Sequence, residues 1–303
     1  MSDRFEPPAS PRRRRLVNAA GWWPVSAWVA GCGGGAGSDG SAAPGGAASA
    51  PGGAASAPGG AASAPGGTPA WALGQVTKRL WDFGSPSWAG GNAVTLANVQ
   101  PGATLVLVVW GFQASSSPQH LFPDPTDSLG QPIAVAADAG HDARIPVQLE
   151  SWVLHNAQAG SHTWSNLPDL TGGDGCLFFI EFRRPGAPSG NIVGAATNTI
   201  SVTGAPFLSS GSVTMSTGAN PGDLLVACSF EEEFGFAALS TAYTDPPAGW
   251  SSIGVQNEST NNIAGEVCWR LAPDTTRQTV AWSWSITGNQ DPVIFKGVVF
   301  SIA

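Results

Sequence analysis

Thr104-Leu105-Val106-Leu107-Val108-Val109-Trp110-Gly111-Phe112 follows Pro101-Gly102, and Leu224-Leu225-Val226-Ala227-Cys228-Ser229-Phe230 follows Pro221-Gly222. Each is a short apolar run behind a turn dipeptide. Such a run reads as a strand in the middle of a sandwich, because it is too short for an ordinary helix and is bounded by turn residues. The two lie about 120 residues apart, so the next question is whether the whole chain repeats at that offset.

It does. Gly84-Ser85-Pro86 returns as Gly204-Ala205-Pro206, Val94-Thr95-Leu96 as Val213-Thr214-Met215, and Asp124-Pro125 as Asp245-Pro246. Further on, Trp152 with Leu154 aligns with Trp269 and Leu271, and Trp164 with Trp282; both copies close on an apolar run, Cys176 to Phe182 and Val293 to Ile302. Between the runs, Val280, Trp282, Trp284 and Ile286 alternate with Ala281, Ser283 and Ser285, the period of a half-buried strand. The expected fold is all-β: two tandem β-sandwich modules, Ig-like or jelly-roll-like, over residues 71–186 and 187–303.

The segment before them has a different character. Arg12 to Arg15, an apolar stretch from Leu16 to Gly31, and Val29-Ala30-Gly31-Cys32 stand in order. About 20 apolar residues are needed to cross a bilayer, so the stretch fits an export signal better than a span. The tetrapeptide resembles the lipobox of bacterial lipoproteins. That resemblance implies residues 1–31 as a signal peptide, cleavage between Gly31 and Cys32, and a lipid on Cys32 that partners the membrane. Arg13-Arg14-Arg15-Leu16-Val17 also resembles a twin-arginine signal, and Gly33 in place of aspartate implies passage to the outer membrane of a bacterial cell envelope. Residues 32–70 are then a disordered tether. Gly33 to Pro69 is almost wholly Gly, Ala, Ser and Pro, with PGGAASA starting at Pro44, Pro51 and Pro58, and such a segment has too little apolar surface to fold. As a flexible coil it would span roughly 35 Å.

From Cys32 onward 8 Lys and Arg stand against 19 Asp and Glu. That acidic balance excludes a nucleic-acid partner, whose phosphates demand basic residues. In a compartment that permits disulfides, Cys176, Cys228 and Cys268 remain once Cys32 carries lipid. Cys228 and Cys268 alternate to different faces, so three buried free thiols are expected.

In the second copy, Pro221-Gly222-Asp223-Leu224-Leu225-Val226-Ala227, Asp245-Pro246-Pro247-Ala248-Gly249-Trp250 and Trp269-Arg270-Leu271-Ala272 resemble β-sandwich modules of bacterial surface proteins and of phage tail or fibre-associated proteins. The resemblance covers about 110 residues of this chain and implies a fold more than an activity. The first copy departs from it: Ala103 stands for Asp223, and no tryptophan answers Trp250.

Catalytic patterns are thin. The chain has no Gly-x-Ser-x-Gly elbow and no His-Glu-x-x-His helix, the patterns that carry nucleophilic and zinc chemistry. His120, His141, His155 and His162 follow no metal-ligand spacing, and the expectation is no cofactor and no metal. Glu231-Glu232-Glu233, followed by Phe234-Gly235-Phe236, is the one dense acidic cluster; it reads as an exposed loop beyond the apolar strand. Trp88 and Trp250 are the tryptophans that alternation explains least, and an indole can cover the apolar face of a sugar ring. A turn tryptophan can also fold back as a plug over the open end of a sandwich, which is the reading preferred for Trp250. The candidate ligand-binding residues are therefore Trp88, Glu231, Glu232, Glu233, Phe234, Phe236 and Trp250. The expected function is non-catalytic binding of a glycan or a surface protein, with a carbohydrate-active enzyme and a phage-derived structural part as alternatives.

Overall fold

The computed structural model describes residues 70–81, 92–112, 122–139, 147–167, 174–184, 192–201, 210–233, 240–243, 246–258, 263–287 and 293–303. Residues 1–69 lie outside the described residues, and the described ones all belong to one compact unit, Ala61–Ala303. No helix occurs among the described residues, which carry sixteen strands.

The first module contains β1 (Ala72–Trp81), β2 (Ala93–Val99), β3 (Thr104–Phe112), β4 (Thr126–Asp127), β5 (Ala134–Asp138), β6 (Val147–Leu154), β7 (Gly160–Ser165) and β8 (Asp174–Arg183). The second contains β9 (Ile192–Ser201), β10 (Ser210–Thr214), β11 (Leu224–Glu233), β12 (Ser240–Tyr243), β13 (Ser251–Glu258), β14 (Ile263–Leu271), β15 (Thr279–Thr287) and β16 (Val293–Ile302). A five-stranded sheet β1-β8-β3-β6-β5 faces a three-stranded sheet β2-β7-β4, and the order recurs strand for strand as β9-β16-β11-β14-β13 and β10-β15-β12. All pairs are antiparallel. First and last strands of each module are neighbours, whereas an immunoglobulin sheet places its first strand beside its second. The strand order is therefore not the immunoglobulin one, and β5 pairs with β6 at the edge of the larger sheet.

The Pro-Gly turns are built alike. Gly102 has φ of 79° and Gly222 of 87°, the left-handed setting that follows proline in a type II turn. Ala103 N–H bonds Gln100 O at 3.2 Å and Asp223 N–H bonds Asn220 O at 3.0 Å. Each turn is also pinned from outside: Gly102 N–H reaches Ala157 O and Gly222 N–H reaches Ala272 O, both at 2.8 Å.

Three cores separate four layers. Leu105, Leu107 and Val109 enter the core of module 1 with Trp152, Trp164 and Phe179. Leu225 and Ala227 enter that of module 2 with Trp282 and Phe295. The alternate residues Val106, Val108 and Trp110 meet Leu224, Val226, Cys228 and Phe230 in a third core between the two five-stranded sheets. This is why β3 and β11 are apolar without alternation: both of their faces are buried.

The sheets meet about a pseudo-twofold axis. Cross-strand pairing makes Trp110 and Phe230 equivalent, since they oppose Leu149 and Gly265 in the matching ladders. Their rings touch, with centroids 6.4 Å apart, as a residue and its equivalent do on an axis. Trp110 Nε1–H donates to Gln256 Oε1 at 2.8 Å in the same buried layer. Gly265 makes room for that indole, because a Cβ there would lie 2.6 Å from its ring. Gly254 does the same for Phe178, at 2.5 Å. Lys78 Nζ, lying 5.5 Å from the Phe178 ring centroid, donates across to Val255 O at 2.6 Å.

Ladder register corrects two details of the repeat. Leu107 opposes Trp152 while Ala227 opposes Cys268, so Trp152 corresponds to Cys268 and Trp269 to Val153. One residue of slip turns a side chain to the other face: Trp152 sits inside module 1, whereas Trp269 packs on the inter-module core against Phe182, with ring centroids 5.7 Å apart. Val94 opposes Trp164 but Val213 opposes Val280, which leaves Trp282 two residues further on, still facing inward. Val280 and Trp282 are buried and Ala281 and Ser283 exposed, as the alternation predicts.

Candidate functional site

Contacts between the modules set which ends coincide. Trp110 meets Phe230 late in β3 and β11, and Phe182, opposite Thr104, meets Trp269, opposite Val226, near the starts of those strands. The modules therefore run side by side with like ends together. One end of this unit carries the start of β1 and the turns leading into β3 and β11. At the other, β1, β3, β5, β7 and β9, β11, β13, β15 all finish.

The sequence-derived candidates divide between these ends. Trp88 belongs to the connection leaving β1, and Phe234 and Phe236 to that leaving β11; all three lie outside the described residues, as do Gly31 and Cys32. Glu231, Glu232 and Glu233 lie not in a loop but inside β11. They stay in the ladder because β16 flanks all three, back to Val293, and β14 flanks the first two, back to Ile263. Glu231 is fully buried and shares the side of Leu225 and Ala227, toward the core of module 2.

Trp250 sits at the opposite, β1-entry end. Trp250 N–H closes the turn onto Pro247 O at 2.9 Å, with Gly249 at φ 78°. The indole is 6% exposed, part of the module 2 core, and capped by the Arg270 guanidinium 4.7 Å from its ring centroid. Arg270 donates to Gln278 Oε1, and Gln278 Nε2 in turn donates to Asp274 Oδ1 at 3.0 Å. Trp250 is a plug with a polar lid, and no ring face is left for a sugar.

Module 1 has its own buried polar pair at the position corresponding to Gln278. His162 Nδ1 lies 2.9 Å from Asp127 Oδ1 and Nε2 lies 2.9 Å from Gln158 O, with both side chains of the pair wholly buried. Asp127 Oδ2 also accepts the Leu129 N–H at 3.1 Å. His162, one of the four histidines without a metal-ligand spacing, is thus occupied in holding a turn. Burial holds the His155 pKa below its ordinary value, while His120 and His141 lie outside the described residues. Among the described residues no three His, Cys, Asp or Glu side chains gather as a metal site. Cys176, Cys228 and Cys268 are all buried; the first two face the inter-module core and the third the core of module 2.

Among the buried carboxyls that escaped the sequence reading are Glu150 and Glu266. Val109 opposes Glu150 and Ser229 opposes Glu266, so the two occupy equivalent positions, each turned into its own module. Burial, with the charges of Asp138 and Asp124, pushes Glu150 up to about 8 against the bond from Gln148. Gln148 Nε2 donates to Glu150 Oε2 at 2.8 Å. Burial also raises Glu266, opposed by Ser252 and the Trp282 indole beside it. The available signal was a lone acid within an apolar strand, as in Leu149-Glu150-Ser151-Trp152. Its surroundings favour the protonated form of Glu150, which sits in the core as a hydrogen-bonding partner of Gln148.

No family model, curated protein or solved structure matches the chain.

Proposed function

We propose that this chain is a lipid-anchored bacterial envelope protein, tethered through Cys32, that binds a glycan or another surface protein without catalysing a reaction. One observation carries the reading. The chain enters the folded unit at one end, and the strands leading to Trp88 and to Phe234 and Phe236 finish at the other. A tether on the first end leaves the second facing outward, and connecting segments on a rigid scaffold are where binding residues concentrate. Trp250, plugged and capped, is no part of this surface.

The test has two arms. Radiolabelled palmitate should enter the full chain and be lost in Cys32→Ser; label that survives the substitution defeats the anchor. The Cys32→Ser chain should bind a subset of a glycan array or surface-protein panel, and Trp88→Ala or Phe234→Ala should weaken that binding at least tenfold. Binding unchanged in both variants defeats the aromatic surface, and release of reducing sugar from a bound glycan would replace the binding reading with a carbohydrate-active enzyme.

A further inference from the structure

We propose that the outer edge of β1 takes up an extended strand from another protein, one whose side chains alternate between apolar and acidic. β1 has β8 on one side and, among the described residues, no strand on the other. Such an edge is a template for a further strand, and proteins blunt it with proline, lysine or a bulge. β1 has ten residues and no proline; its bulge falls early, between Leu73 and Val76, and leaves residues 76–81 in even register with β8. The edges beside it are occupied by its own side chains. Thr77 Oγ1 donates to Thr95 O at 3.4 Å and Arg79 donates to Ala93 O at 2.7 Å, both on β2, while Lys78 Nζ donates to Val255 O of β13. The lysine that would guard the β1 edge is thereby turned toward module 2.

The two faces of this edge differ, and the difference selects the partner. Leu73, Val76 and Leu80 oppose Phe182, Ile180 and Cys176 of the inter-module core, so they share that face. Each is nevertheless 36–48% exposed, and they are three of the five large apolar side chains left exposed among the described residues. The other face is basic. Arg79 opposes Leu177 and Ala72 opposes Arg183, both on the side of the module 1 core, and Arg183 and Arg184 line a cleft of about 260 Å³ beside Ala72 and Gln100 at the start of the strand. Glu181, the acid on this face, is fully buried and already bound to Arg183 at 2.7 Å. β1 itself has two bases and no acid, in a chain with 8 Lys and Arg against 19 Asp and Glu from Cys32 onward. Side chains of an added strand alternate in step with those of the edge it joins. Apolar residues of the partner would therefore cover Leu73, Val76 and Leu80, and its carboxylates would lie beside the guanidiniums. Other occupants fit worse. Two β1 strands from separate copies would set Lys78 and Arg79 against their like, and like charges across a ladder repel. Residues 33–69 have a single acid, Asp39, no apolar side chain larger than alanine, and several prolines, which cannot donate to a ladder. The proposal does not rest on the surface role argued above.

The full chain carrying Cys32→Ser tests it, with three fluorescent peptides the length of β1. One alternates valine with glutamate, the second holds the same residues in two blocks, and the third alternates valine with lysine. By fluorescence anisotropy the first should bind at least tenfold more tightly than either of the others, and amide exchange in β1 should slow in its complex. Leu80→Glu, at an exposed position, should weaken that binding at least tenfold without moving the urea midpoint. Val76→Glu, also exposed, takes its place if the midpoint falls. No binding of the first peptide, equal binding of the block peptide, or unchanged exchange in β1 overturns the proposal. A dimer that forms without peptide and is lost in Leu80→Glu would assign the edge to a second copy, and overturns it as well.

Discussion

Replacing Glu150 by Gln should remove most of the loss of stability that this protein suffers as pH rises from 5 to 8. Glu150 is 4% exposed and its pKa stands at about 8, against an ordinary value of 4.5. Folding therefore favours the protonated form. The resulting stability is fully present below the unfolded value, falls as pH climbs through the folded one, and changes no further beyond it. Each unit of separation is worth about 1.4 kcal/mol, so the whole window corresponds to a difference on the order of 5 kcal/mol between acid and alkaline solution. Glutamine keeps the size of the side chain and an amide that can pair with Gln148, but cannot ionise. Urea unfolding of both proteins at pH 5, 6.5, 8 and 9 measures the effect. The native chain should lose about 1 kcal/mol per pH unit more than Glu150→Gln between the first three points, and the two curves should run parallel from 8 to 9. Parallel curves across the whole range would refute the reasoning. Glu266, also raised by burial, should leave a smaller slope in the variant, and Glu150→Gln/Glu266→Gln should be flatter still.

Gly265→Val places side-chain carbon where the Trp110 ring already lies 2.6 Å from a bare Cβ; overpacking of this kind costs about 1–3 kcal/mol, seen as a lower urea midpoint, and an unchanged midpoint would mean the sheets are not in contact there. His162→Ala leaves the buried Asp127 carboxylate and the Gln158 carbonyl without the imidazole that lies 2.9 Å from each, a loss of about 1–3 kcal/mol read as a lower thermal midpoint; an unchanged midpoint would mean that the pair does not hold this turn. Burial raises Cys228 and Cys268 well above the usual thiol range, so in Cys32→Ser all three remaining thiols should resist a disulfide reagent until urea is added. Rapid reaction of any of them in the native protein would contradict the described core.

Local chemistry is enough to read the strands of this chain. Pro101-Gly102 and Pro221-Gly222 dictate the same left-handed turn wherever they stand, the apolar runs behind them cannot remain in water, and two-residue alternation predicts both the inward tryptophan of β15 and the opposite facing of Cys228 and Cys268. The same logic made Trp250 a plug, because a turn indole finds more apolar surface beneath it than solvent offers. What a one-dimensional pattern does not contain is the neighbour across a layer. Glu231 reads as a loop residue by its charge, yet β14 and β16 hold it in the ladder. Trp152 and Trp269 look like partners, yet one residue of register sends them to different cores. Nor does any spacing announce that Trp110 needs a glycine at 265, or that two modules share one buried layer. Those outcomes depend on which sheet lies about 10 Å away, a distance set by side chains more than a hundred positions apart.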